Sequence, residues 1–210
     1  LLGGDNIDLS ITLFLERKLS RKLSPRQRSY LFFQARTIKE SLFSSENGGS
    51  EELCSVSLPG EGASLFAGAE SIQVPGKEII SLVCDGFFPV VSHDAVPGDE
   101  RSGLREFGLP YAPDSAITNH LAAFLKSREV DAVLFNGGSL KAGAFRKILL
   151  KQIAAWQGDR IPIEIENNEQ DLAVARGASV FASRMREGFG RIRGGYPRSV
   201  YLQLAGAGDV

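Results

Sequence analysis

Cysteine, histidine, methionine and tryptophan are all scarce in this chain, which has two, two, one and one of them among 210 residues. Two isolated cysteines, Cys54 and Cys84, exclude a disulfide framework and read as reduced thiols in apolar surroundings. With His93 and His120 as the only histidines, no cluster has metal-ligand spacing, and neither a Cys-His nor a Ser-His-Asp set can be assembled. No catalytic residue and no metal ligand follows from the residue types. No apolar run approaches the ~20 residues that span a bilayer, and Leu1-Leu2-Gly3-Gly4 lacks the charged and apolar regions of a signal peptide. The expected setting is cytoplasmic, with no membrane partner. Excess charge is missing too: 24 Lys plus Arg against 25 Asp plus Glu leave a net charge of -1, and the pI is near 6.2. That balance excludes the broad basic footprint of a nucleic-acid binder, and the basic cluster from Arg17 to Arg28 reads as helix ends. Because the chain starts at an apolar pair without Met, a fragment of a longer protein is expected.

What is present suffices for a core: 43% of residues are hydrophobic and 23% charged. Ile7, Ile11, Phe14, Leu15 and Leu19 recur at three- and four-residue steps, predicting a helix capped by Asp5 or Asn6 that ends near Lys18 to Lys22. Ser24-Pro25-Arg26-Gln27 has the form of a capping box with proline at the first helical position, opening a second helix to about Phe43. Cys54, Val56 and Leu58 alternate with Ser55 and Ser57 as in a half-buried strand, and 64–67 and 70–74 read as further short strands. A helix through Ile79, Ile80, Leu82 and Val83 is expected to run to Gly86, followed by a charged loop over 91–105. Pro113-Asp114-Ser115 starts another helix with Ile117, Leu121, Phe124 and Leu125 on one face, beside which His120 reads as a structural histidine. Trp156 reads as core, and Ile161 to Ile165 as a buried strand. Asp171 is expected to cap a helix whose small face, Ala173, Ala175, Gly177 and Ala178, allows close approach to a sheet or ligand, and Gly188 to stop it.

The most informative stretch is D-A-V-L-F-N-G-G-S-L-K-A-G-A-F-R, Asp131 to Arg146. An apolar strand-like run breaks at a Gly pair and a hydroxyl before an amphipathic helix, which is how a βα unit presents bare backbone to a ligand. Neither G-x-G-x-x-G nor G-x-x-x-x-G-K-[ST] is present, so the pair by itself fits any tight βα turn as well as a nucleotide site.

Three segments fall in a telling order: G-G-D-N-I-D at Gly3 to Asp8, V-L-F-N-G-G-S at Val133 to Ser139, and N-E-Q-D-L-A-V-A-R-G-A at Asn168 to Ala178. Together with I-K-E-S-L-F-S-S at Ile38 to Ser45, they resemble the second lobe of the ATPase domain of DnaK-type heat-shock protein 70 chaperones, in a divergent bacterial branch. The resemblance covers about residues 1 to 190. It implies an α/β chain with the actin-like ATPase (ribonuclease H-like) fold, second lobe, formed by 1–23 and 76–190, with an inserted α+β adenosine-clamp subdomain at 24–75 and a C-terminal extension at 191–210.

That likeness also implies ATP or ADP as the ligand and a client protein or co-chaperone as possible partners. Mg²⁺ is expected only with the first lobe, which this chain does not supply, so hydrolysis by this chain alone is not expected. Gly137, Gly138 and Ser139 match the adenosine floor, Lys39 the basic residue reaching the ribose, Gly3 and Gly4 the loop near the phosphates, and Asp171 the acid opening the last helix. Lys141 stands where the family usually has Arg, which replaces a planar stacking group by a point charge. Arg36 and Glu40 reverse the usual charges and, four apart on a helix, are positioned to pair with each other. Phe43 replaces a small hydroxyl residue and is available to pack on a base. A small-molecule kinase or filament protein of the same superfold, and a non-hydrolysing nucleotide-binding scaffold, remain open alternatives.

Overall fold

Apolar side chains at three- and four-residue steps fold the first 44 residues into two helices, α1 (Gly4–Leu19) and α2 (Pro25–Ser44). The computed structural model describes residues 2–19, 21–44, 52–60, 70–98, 113–167 and 169–188, in two compact units, Leu1–Gln170 and Asp171–Val210. The chain continues through β1 (Leu53–Leu58), β2 (Glu70–Pro75), α3 (Gly76–Phe87), α4 (Ile117–Leu125), β3 (Ala132–Leu134), a 3-10 turn (Gly138–Lys141), α5 (Gly143–Trp156) and β4 (Ile163–Ile165). A second 3-10 turn (Gln170–Leu172) leads into α6 (Ala173–Arg186).

The start of α2 has the reciprocal cap that its sequence predicts. Gln27 N–H donates to Ser24 Oγ at 3.4 Å, and Ser24 N–H donates to Gln27 Oε1 at 3.3 Å, so two donors at the helix start find partners. Helix α1 starts differently from expectation. It begins at Gly4, before both Asp5 and Asn6, and Asn6 Oδ1 reaches back to accept the Gly3 N–H at 2.8 Å. Ile7, Ile11, Leu15 and Leu19 of α1 meet Leu31, Ala35, Ile38 and Leu42 of α2 in one apolar cluster that also takes in Val56, Leu58, Val74, Ile79, Val83 and Phe145. Each such large side chain contributes about 1.5–3 kcal/mol when fully buried.

β1 and β2 pair antiparallel, with Leu53 opposite Pro75 and Leu58 opposite Glu70. Cys54, Val56 and Leu58 face the core while Leu53, Ser55 and Ser57 face outward, as their alternation requires. The strand expected at 64–67 lies outside the described residues. Neither cysteine is in a disulfide; burial, with Glu52 beside Cys54 and Asp85 beside Cys84, pushes both thiols up from their ordinary pKa and suppresses the thiolate.

Four sequence expectations need correction. In α4 the buried residues are Thr118 and Ala122, whereas Phe124 is 74% exposed. Thr118 Oγ donates to Pro89 O at 2.7 Å, and this bond with the small Ala122 turns that side of the helix inward. β4 pairs parallel with β3, Ala132 opposite Ile163, yet Ile163 and Ile165 are exposed. Parallel strands are ordinarily buried by helices on both faces, and these β4 side chains lack such a cover among the described residues. Trp156 is half-buried, its indole N–H donating to Val91 O at 2.9 Å. In α6 the N-cap is Leu172, with Asp171 inside the preceding 3-10 turn. Gly188 does follow α6, at φ +78°. His120 is a structural histidine as expected, its Nε2 lying 3.0 Å from Asp114 O.

No helix among the described residues is long and apolar enough to cross a membrane.

Candidate functional site

A cleft of about 640 Å³ opens where the first turn of α1, the C-terminal half of α2 and the glycine turn after β3 come together. Gly3, just before α1, and Gly4, Asp5 and Asn6 of its first turn line one side, and Arg36, Lys39, Glu40 and Phe43 line it from α2. Gly138, Ser139, Lys141, Ala142 and Phe145 complete it from the turn and the start of α5.

The turn owes its shape to glycine. Gly137 has φ +91° and ψ 150°, a conformation essentially closed to residues with a Cβ. Its N–H is satisfied by Asn136 Oδ1 at 2.9 Å, and the chain then winds one 3-10 turn before α5. Arg146, on the first turn of α5, braces that winding. Its Nη1 donates to Leu140 O at 3.0 Å and Lys141 O at 2.6 Å, while its Nε contacts Glu164 Oε1 at 2.6 Å. One guanidinium thus ties the turn to β4 and satisfies carbonyls that the short winding leaves open.

Across the cleft, α1 and α2 are joined by charge. Asp8 is fully buried, with Lys39 Nζ 2.6 Å from Oδ1 and Arg36 Nε 3.3 Å from Oδ2. Arg36 also reaches Asp5 Oδ1 at 2.9 Å. The ammonium lies close to Oδ1 but out of hydrogen-bond alignment, so that oxygen is compensated by charge rather than by a directed bond. Lys39 donates instead toward Gly4 O at 3.4 Å. Position 4 is crowded: a Cβ there would stand 3.0 Å from Ser139 Oγ and 3.3 Å from Lys39 Nζ, so one of those side-chain ends would have to shift.

Six of the eight site residues expected from the sequence therefore line one cleft: Gly3, Gly4, Lys39, Gly138, Ser139 and Lys141. Gly137 stands just behind the lining and sets the turn. Asp171 belongs to the other compact unit. Arg36 does not pair with Glu40 but with Asp5 and Asp8, because the α1–α2 packing presents two carboxylates to it. Phe43 is buried against Phe145, ring centroids 4.4 Å apart, as an apolar wall.

Asp8, Asn6, Phe145 and Arg146 were not among the residues expected at the site. Asp8 had a signal: it shares its helical face with Thr12, Leu15 and Leu19, and a carboxylate on a buried face needs a cation. No group of three His, Cys, Asp or Glu side chains placed to hold a metal occurs among the described residues.

No protein-family profile, curated protein or solved structure matches this chain.

Proposed function

We propose that this chain forms the nucleoside-gripping face of a heat-shock-protein-70-like molecular chaperone, holding ATP or ADP in the cleft between α1, α2 and the glycine turn. The observation that carries the reading is convergence. Three segments far apart in sequence, each singled out by its likeness to that family, bring Gly3 and Gly4, Lys39, and Gly138 with Ser139 and Lys141 to one cleft. The bare backbone at Gly138 offers a floor on which a nucleoside lies flat, and Phe43 and Phe145 offer an apolar end for the base. The β3–α5–β4 unit, a parallel pair joined across a helix, supports an α/β lobe of the actin-like ATPase fold, with 24–75 as its clamp. In this reading the chain binds and orients the nucleoside, and closure on a second lobe in the cytoplasm changes the grip on a client protein or co-chaperone.

A non-hydrolysing nucleotide-binding scaffold is the second reading. It is favoured by Arg36 and Lys39 being committed to Asp5 and Asp8, which lowers the positive charge offered to phosphates.

Calorimetric titration of the full-length protein with ATP tests the proposal, alongside a Gly138→Trp variant. A Cβ at position 138 meets nothing within 4 Å, and the melting temperature of the variant reports whether the fold accepts the rest of the indole. Binding by the wild type and loss in the variant, at unchanged melting temperature, is the expected result. No binding by the wild type sinks the nucleotide reading, and equal binding by both moves the site elsewhere.

A further inference from the structure

The glycine turn at the floor of the cleft is fixed at both ends by groups outside the lining. At its start Gly137 sets the direction of the chain by its backbone conformation, with Asn136 Oδ1 accepting its N–H at 2.9 Å. At its end the guanidinium of Arg146 donates to two successive carbonyls, Leu140 O at 3.0 Å and Lys141 O at 2.6 Å. The same group donates through Nε to Glu164 Oε1 at 2.6 Å. Gly138, Ser139 and Lys141 line the cleft, whereas Arg146 does not. Glu164 lies opposite Val133 in the β3–β4 register, so the guanidinium refers the turn to the strand pair from which it leaves. Asn167 adds a second tie to that strand end, its Nδ2 donating to Phe135 O at 3.1 Å.

We infer that Arg146 is the positioning residue of this cleft: it sets ligand affinity by holding the floor in shape, without touching the ligand. The inference rests on the nucleotide reading and adds to it what keeps the binding surface ordered. A single 3-10 turn has poor hydrogen-bond geometry of its own, here the bond from Leu140 N–H to Gly137 O at 3.1 Å, so its shape depends on outside partners. Arginine suits that task because Nε and Nη1 lie in one rigid plane. Anchoring Nε on Glu164 therefore aims Nη1 at both carbonyls with little further freedom to lose. A lysine at 146 carries its charge at one point on a flexible stem and cannot hold Glu164 and both carbonyls in the same fixed relation. A binding surface performs only when its support keeps it within about 0.5 Å of the productive geometry, and for Gly138, Ser139 and Lys141 that support is this guanidinium.

Calorimetric titration with ATP of the full-length protein compares wild type with Arg146→Lys, Glu164→Gln and Val56→Ala, each at a temperature where it is folded. Arg146→Lys is expected to weaken binding about tenfold or more, the scale of losing hydrogen bonds from a charged donor. Glu164→Gln keeps an oxygen for Nε and is expected to stay within about threefold of wild type. Val56 is fully buried and does not line the cleft, so Val56→Ala is expected to lower stability and leave affinity unchanged. Hydrogen exchange at the Leu140 N–H needs no nucleotide, and in Arg146→Lys it is expected to be about tenfold faster than in wild type. Affinity retained in Arg146→Lys overturns the inference. So does a loss that Val56→Ala matches, since affinity then follows stability alone, and so does unchanged exchange at Leu140. If the wild type binds no ATP, the nucleotide reading falls, while faster exchange in Arg146→Lys still supports Arg146 as the group that orders the turn.

Discussion

Lys39 and Asp8 form a buried ion pair, ammonium to carboxylate 2.6 Å, across the packed faces of α1 and α2. Asp8 has no exposed surface and Lys39 is 8% exposed, so the pair lies in a poorly solvated environment where either charge alone is costly. The same carboxylate takes Arg36, and Arg36 takes Asp5, so one buried acid organises the whole charged wall of the cleft.

Removing that acid leaves two cations facing each other. Asp8→Ala is expected to lower unfolding stability by about 3–5 kcal/mol, the range for breaking a buried pair by removing one partner. Urea denaturation measures it, and a loss below about 1 kcal/mol contradicts a structural role for the pair.

Gly4 is crowded by groups from two other segments. On the proposed nucleotide reading, Gly4→Ala is expected to weaken nucleotide binding by about 1 kcal/mol, roughly fivefold in affinity, because its Cβ must displace Ser139 Oγ or Lys39 Nζ. Ser139 Cβ would lie 3.9 Å from that methyl group, an ordinary contact, so the hydroxyl is the obstacle. Introducing Gly4→Ala into a Ser139→Ala background should therefore cost less, and equal costs in the two backgrounds would rule out this crowding.

Gly137 and Gly138 are adjacent but not equivalent. Gly137→Ala is expected to cost about 1–3 kcal/mol through its backbone conformation alone, as a Cβ there meets no atom within 4 Å. Gly138→Ala, with no positive φ, should stay within about 1 kcal/mol of wild type. Thermal unfolding of both variants compares them, and similar losses would show that the turn does not depend on the conformation of Gly137.

Acid should loosen the start of α4. Partial burial would raise the Asp114 carboxyl, but hydrogen bonds from the Asn119 amide and the Ala116 and Gly98 N–H groups, with the charge of His120, hold it below its ordinary range. A depressed folded-state value means that the carboxylate stabilises the fold above its unfolded pKa of about 3.9 and loses that contribution as pH falls through the folded value. At pH 7, Asp114→Ala is expected to be less stable than wild type by about 1–2 kcal/mol. The gap should narrow as pH drops below about 4, and a denaturation series with a constant gap would refute the assignment.

Local chemistry was legible in the sequence because it acts over three or four residues. The faces of α1 and α2, the Ser24–Gln27 cap, the alternation of β1 and the glycine turn at Gly137 all follow from helical or strand spacing and from what a Cβ forbids. Tertiary structure decided what those elements meet. Arg36 has Glu40 one helical turn away, yet it pairs with Asp5 and Asp8, 31 and 28 residues distant, because the α1–α2 contact places their carboxylates within its reach. The same holds for α4, whose apolar spacing pointed Phe124 inward while the packed helix buries Thr118 against Pro89 O, and for β4, whose apolar side chains read as buried but are exposed. Periodicity identifies the face an element can bury; only the packed chain selects which face finds a partner.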